Sequence, residues 1–217
     1  MKIALFSEVY VPQINGVVTH VKILKAGLEQ LGHEVMVVTA DANATRHYVD
    51  ADHVLHCPAH TSKKFYGYGL AIPFSQRRLK LVREFHPDII HVHTEFGVGL
   101  SGVAFAKLLH VPLVYTLHTM YDDYIYYVAP KALAPAATKL SRKYTKMLAK
   151  RANAITGPSL KCSEYFKSSG FYEKEVNVIP NAVETEEFSP KNISAETKAA
   201  LRLKHGIPPD DMVCIFV

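Results

Sequence analysis

Short apolar runs recur along this chain, and between them the apolar positions fall three and four residues apart. The first run, Lys2–Phe6 (KIALF), reads as a buried strand. Val17, Val21, Leu24, Leu28 and Leu31 then share one helical face, and Gly32 stands where a helix closes on a C′ glycine. Val35–Thr39 reads as a second strand and Val54–Cys57 as a short third, followed by a glycine- and aromatic-rich surface loop over 63–73. Gln76–Phe85 predicts a helix and Asp88–His93 a strand. Pro112 opens the next strand, Leu113–Leu117, built from β-branched and aromatic residues. A basic helix over Lys139–Lys150 follows, then a strand at Ala154–Thr156. Ser159 caps a helix that runs to Ser168 ahead of Gly170. Val176–Pro180 predicts the last strand of this part, and Ala195–His205 a further helix. Strands alternating with helices imply right-handed crossovers, so the expected class is α/β: a Rossmann-like, doubly wound, mostly parallel sheet. The expected division is a domain over 1–207, with 208–217 a linker (GIPPDDMV) and the first strand of a second domain, Cys214–Val217.

Charge changes this picture in one place. The formal net charge is +5, yet residues 1–123 hold 11 basic and 11 acidic residues, and residues 164–217 hold 6 and 9. Between Tyr124 and Ser163 there are eight basic residues and no acid, so the whole excess lies there. At 100° per residue, Lys139, Arg142, Lys143, Lys146 and Lys150 fall within an arc of about 100°. Leu140, Tyr144, Met147, Leu148 and Ile155 fall in a second arc roughly 130° away, expected to face the core. A solvated surface helix is the plain reading of a charge run. This face, however, has one sign and no acidic partners at i,i+4, and five tyrosines between Tyr115 and Tyr127 precede it. The expected partner is an anionic membrane surface and not nucleic acid, for which no motif is present. At 48% hydrophobic and 21% charged, with no apolar run near the roughly 18–20 residues of a span, the chain reads as globular. Cys57, Cys162 and Cys214 lack metal spacing, which points to a reducing cytosol and leaves the sequons at Asn43 and Asn192 without meaning. The expected location is cytoplasmic, peripheral on the inner face of the cell membrane.

Three features carry candidate chemistry. Gly16 stands where a loop becomes a helix, and a glycine there lets backbone N–H groups approach an anion; it also suits a bare tight turn. Gly97–Gly102 (GVGLSG) matches the dinucleotide pattern, but Thr94, Glu95 and Phe96 separate it from the strand, so close helix packing is the better reading of its glycines. His118 ends a strand, where ligand crevices lie in open parallel sheets. His91 and His93 alternate on one strand without a third ligand at a suitable spacing and read as structural, so no metal site is expected.

Five blocks together resemble the N-terminal half of a glycosyltransferase family 4 enzyme of GT-B fold: KIALFSEVYVPQINGVVTHV, LEQLGHEVMVVT, PDIIHVHTEF, PLVYTLHTMYDDYIYY and VIPNAVETEEFSP. HTMYDDYIYY is similar to bacterial diacylglycerol glucosyltransferases that make membrane glycolipids. The resemblance implies a retaining enzyme that uses UDP-glucose as donor substrate and a membrane lipid such as diacylglycerol as acceptor, with no further cofactor. It also implies a second, donor-binding domain beyond this chain, without which the chain is expected to be inactive. It assigns Asn15 and Gly16 to the donor phosphates, Asn181 to the cleft between domains, and His118 to the reacting centre, with His20 a weaker candidate. Thr119, Tyr121, Asp122 and Tyr126 would shape the acceptor lip. The alternatives are a soluble acceptor, or a non-catalytic membrane-binding or dinucleotide-binding domain.

Overall fold

The computed structural model describes residues 1–61, 68–123, 125, 130, 132–186 and 188–214. Nine strands among them form one sheet in the order β3-β4-β2-β1-β6-β7-β8-β9, with β5 on β4 off this path. The strands are β1 (Lys2–Ser7), β2 (Glu34–Asp41), β3 (Tyr48–Val49), β4 (Val54–Thr61), β5 (Gly69–Ala71), β6 (Ile89–Val92), β7 (Leu113–Thr116), β8 (Ala154–Gly157) and β9 (Val176–Val178). The helices are α1 (Gly16–Gln30), α2 (Gln76–Phe85), α3 (Gly97–Leu109), α4 (Ala134–Arg151), α5 (Leu160–Ser168) and α6 (Ala195–Lys204). Only β3 and β5 pair antiparallel, both with β4. The expected fold class therefore holds.

The central strands are apolar through their middles because both faces are covered. On β1, Ile3 and Leu5 pack with Val35, Val37 and Val21 of α1. The alternate residues, Ala4 and Phe6, join the opposite core with Val82 and Phe85 of α2 and Phe105 of α3. Chain order runs from β1 outward through β2 to β4, then returns to β6 on the other side of β1 and continues outward to β9. The direction of winding reverses between β1 and β6, so a crevice opens at their carboxyl ends.

Several sequence expectations are corrected. The 63–73 loop holds a strand, β5, and β3 was not foreseen; both are short edge pieces without clear alternation. Ile155 belongs to β8 and not to the apolar arc of the basic helix, and Leu140 on that helix is exposed instead of buried. The described chain forms two compact units, Met1–Asn181 and Ala182–Val217. The second unit contains α6 and a 3₁₀ turn at Pro190–Asn192. Most of the strand expected at 214–217 lies outside the described residues.

The α3 glycines have packing reasons. A Cβ on Gly99 would lie 1.7 Å from the Thr94 carbonyl oxygen, and one on Gly102 would lie 2.6 Å from Val92 Cγ2 and 2.8 Å from Phe6 Cγ. The buried carboxylate of Glu8 caps the N-terminus of α3, accepting from Val98 N at 2.5 Å and from Ala71 N at 2.6 Å. A pyrophosphate would have to displace this carboxylate, so the dinucleotide reading fails on geometry. Gly16 contrasts with these: its Cβ position meets no described atom, and its φ lies outside the left-handed region. Gly99→Ala should therefore lower stability by about 3 kcal/mol or more, whereas Gly16→Ala should change it by less than about 1 kcal/mol. Urea unfolding of the two variants measures both effects.

Candidate active site

Four imidazoles from three elements gather at the switch point. α1 starts at Gly16, where Asn15 caps it by accepting from Val18 N at 3.0 Å, and one turn on the helix presents His20. His91 lies on β6 and His93 just past its end, while His118 lies just past β7. His93 Nδ1 and His118 Nε2 are 3.2 Å apart. The His20 ring centroid stands 4.8 Å from that of His118 and 5.4 Å from that of His93, and His91 lies 4.0 Å from His93. His20 Nδ1 donates to Asn181 Oδ1 at 2.9 Å, tying α1 to the turn after β9. His91 Nε2 bonds Thr116 Oγ1 at 2.7 Å, and Thr116 bonds Thr156 Oγ1 at 2.6 Å.

Burial governs the charge of this cluster. It pushes His118 and His91 down to about 3, with the nearby His20 adding to the effect. Burial holds His93 well below the usual histidine range and lowers His20, which the Asn181 bond partly offsets. All four are neutral near pH 7, so His118 can hydrogen-bond and polarise but does not act as a cation. Neutral imidazoles beside an open helix N-terminus leave room and positive potential for an anion.

Of the residues expected to act together, His20 meets both His118 and Asn181, and Gly16 lies one turn before His20 at the start of α1. Asn15 caps their helix, with its amide 3.4 Å from Tyr68 Oη. The reading of His91 and His93 as isolated from further ligands is corrected, because spacing along the chain could not show that β7 and α1 bring His118 and His20 to His93.

The acceptor-lip residues turn toward protein partners. Tyr121 donates to Glu95 Oε2, and Tyr115 donates to Glu95 Oε1 at 2.8 Å. Tyr144 of α4 donates to the Glu95 carbonyl oxygen, and Phe96 stacks on Tyr144. Asp122 accepts from Arg142 Nε at 2.5 Å. Thr119 is half-buried beside His118, and Tyr126 lies outside the described residues. Tyr121 thus fastens the segment after His118 to Glu95, and Asp122 fastens it to the middle of α4.

Two important carboxylates, Glu8 and Glu95, escaped sequence reasoning. Each follows the carboxyl end of a buried strand, and an acid at that position was the available signal. Burial raises Glu8 above the usual carboxylate range, against hydrogen bonds from Ala71 and Val98. It raises Glu95 to about 7, although the tyrosine hydroxyls oppose it.

Lys139, Arg142, Lys143, Lys146 and Lys150 share one face and line a concavity of about 780 Å³ with Met147, Arg151, Ser168 and Ser169. The face is less free than its sequence suggested, since acids distant along the chain reach it. Arg142 pairs with Asp122, and Lys150 pairs with Glu173 at 2.7 Å. Lys146 donates to the Ser169 carbonyl oxygen at 2.9 Å. Lys139, Lys143 and Lys146 have no acidic partner among the described residues.

Against this geometry the comparisons are decisive for the family. The model of Glycosyltransferase Family 4 matches residues 14–187. The chain belongs to that family. It is 37% identical over its full length to the alpha-monoglucosyldiacylglycerol synthase of Acholeplasma laidlawii, covering 55% of that protein. It is 32% identical over 95% of its length to the synthase of the same name from Streptococcus pneumoniae, covering 46% of it. The chain thus spans about half the length of these curated relatives. HepE of Anabaena, solved in complex with UDP and glucose, shares the fold at a TM-score of 0.60 and 19% identity, over 95% of this chain and 50% of that one. As a family 4 chain of GT-B fold, it supplies the N-terminal half. No helix among the described residues is long and apolar enough to cross a membrane.

Glu95 gives a pH test. Its folded-state value, about 7, exceeds the ordinary 4.5, so between these values the folded chain binds more protons than the unfolded one. Stability from this group therefore falls as pH rises through that window. The buried histidines act oppositely below their ordinary value and cancel when two variants are compared. Relative to wild type, Glu95→Gln should gain about 2–3 kcal/mol between pH 4.5 and pH 8, read from urea midpoints at each pH.

Proposed function

We propose that this chain is the acceptor-side half of a retaining glycosyltransferase that moves glucose from UDP-glucose to a membrane lipid such as diacylglycerol. The observation that carries the reading is its full-length similarity, at 37% identity, to a glucosyldiacylglycerol synthase. The site geometry is consistent with it. The α1 N-terminus at Gly16 is open to a diphosphate, and neutral His118 faces the same crevice from the end of β7. In a same-face displacement the leaving phosphate itself takes the acceptor proton. The protein then mainly positions the reactants and stabilises developing charge. Gly16 and Asn15 would border the donor phosphates and Asn181 the donor side of the cleft. Thr119, Tyr121, Asp122 and Tyr126 would border the acceptor path. No further cofactor enters this scheme.

Because the chain spans about half of its relatives, we expect it to show no turnover by itself. In a polypeptide that also carries a donor-binding half, transfer of labelled glucose from UDP-glucose to diacylglycerol in mixed micelles tests the reading. There, His118→Ala should lower kcat/KM by about 10²–10³ with the fold intact. Near-normal kcat/KM would remove His118 from the site.

The basic face of α4 would hold the enzyme on an anionic bilayer. Each cation close to such a surface contributes on the order of 1 kcal/mol, so Lys139, Lys143 and Lys146 together supply up to about 3 kcal/mol, roughly a hundredfold in partitioning. Arg142 and Lys150 add less, since each is already paired. The chain should sediment with phosphatidylglycerol-rich vesicles and not with phosphatidylcholine ones, with binding weakening as salt rises. Changing Lys139, Lys143 and Lys146 to Glu should abolish it. Equal binding to neutral vesicles, or an unaffected triple variant, would favour a soluble acceptor and a merely solvated helix.

A further inference from the structure

We propose that His20, His93 and His118 form a binding site for one borderline transition-metal ion of the zinc class. One candidate ligand nitrogen from each residue lies within 4.8 Å of the other two. Tetrahedral zinc–nitrogen bonds of roughly 2.0–2.1 Å would set the ligand atoms about 3.4 Å apart. The His93–His118 edge, at 3.2 Å, already has that length. Closing the other two edges takes shifts within the reach of side-chain torsions, because His20 and His118 are only half-buried.

A further observation favours metal over a purely structural cluster. His20 donates Nδ1–H to Asn181, the outer-shell bond that fixes a ligating histidine with Nε2 free. An all-nitrogen donor set suits zinc, cobalt, nickel or copper, whereas magnesium and calcium require oxygen ligands.

Three protein ligands leave a fourth position toward the crevice for water or another small donor. Metal bound there occupies the lone pair of His118, so metal binding and the role proposed above for His118 exclude one another. The inference itself stands on the cluster and not on the transferase reading.

The test is titration of the untagged 217-residue chain with Co²⁺, followed by displacement with Zn²⁺. The expected result is one equivalent of cobalt with visible bands of tetrahedral intensity, displaced stoichiometrically by Zn²⁺ and unaffected by a large excess of Mg²⁺. His20→Ala, on an accessible helix face, should weaken binding by more than the roughly 10–100-fold that loss of an outer-shell partner costs, with the circular dichroism spectrum unchanged. Asn181→Ala should weaken it within that range, and His118→Ala should match His20→Ala. No binding, octahedral cobalt only, a thiolate-to-cobalt band from Cys214, or affinity unchanged in His20→Ala would each overturn the proposal. Because the readout is binding to this chain, loss of the transferase reading would leave the result standing, and the reverse also holds.

Discussion

The structure depends on one topological constraint: seven of its strands, β1 and its neighbours outward in both directions, run parallel, so their carboxyl ends share one edge. Right-handed crossovers make this arrangement obligatory once the strands alternate with helices. Winding reverses between β1 and β6, and the crossovers there cannot cover the edge. The candidate site residues and both buried carboxylates lie at or beside that gap. Glu8 follows β1, His93 and Glu95 follow β6, His118 follows β7, and α1 delivers Gly16 and His20 from the β1 side.

The two buried carboxylates divide this edge between support and site. Glu8 fills the N-terminus of α3, removing that helix as an anion site while fixing it to β5. Glu95 gathers Tyr115, Tyr121 and, through its carbonyl, Tyr144, so the segment after His118 is braced against α4. The N-terminus of α1 at the switch point is capped instead by the neutral side chain of Asn15, through Val18 N. The same edge thus places the start of α1 and the neutral imidazoles of His20, His93 and His118 together.

Much of the architecture was legible because the apolar periods are long and uninterrupted. Gln76–Phe85 was bounded correctly from sequence, and α1 and its closing glycine followed from Val17 to Gly32. Edge strands β3 and β5 were missed because two or three residues carry no period. For the site, Gly16 and His118 were legible from their places at element ends and from the family's blocks. The gathering of His20, His93 and His118 was not, since their spacings along the chain are unrelated to their separation across the sheet. The pairing of Arg142 and Lys150 with Asp122 and Glu173 was hidden for the same reason. A helical wheel sees only the charges on its own helix.

The central claim is that the crevice bounded by Gly16 and His118 receives the nucleotide sugar. Amide and imidazole NMR spectra of the isotopically labelled chain, recorded as UDP-glucose is raised into the millimolar range, test it most directly. The account predicts saturable shifts confined to Gly16 and its neighbours on α1, His20, His118 and Asn181. Shifts centred instead on Gly97–Ser101 at the start of α3, or saturable binding that leaves Gly16 and His118 unmoved, would contradict it.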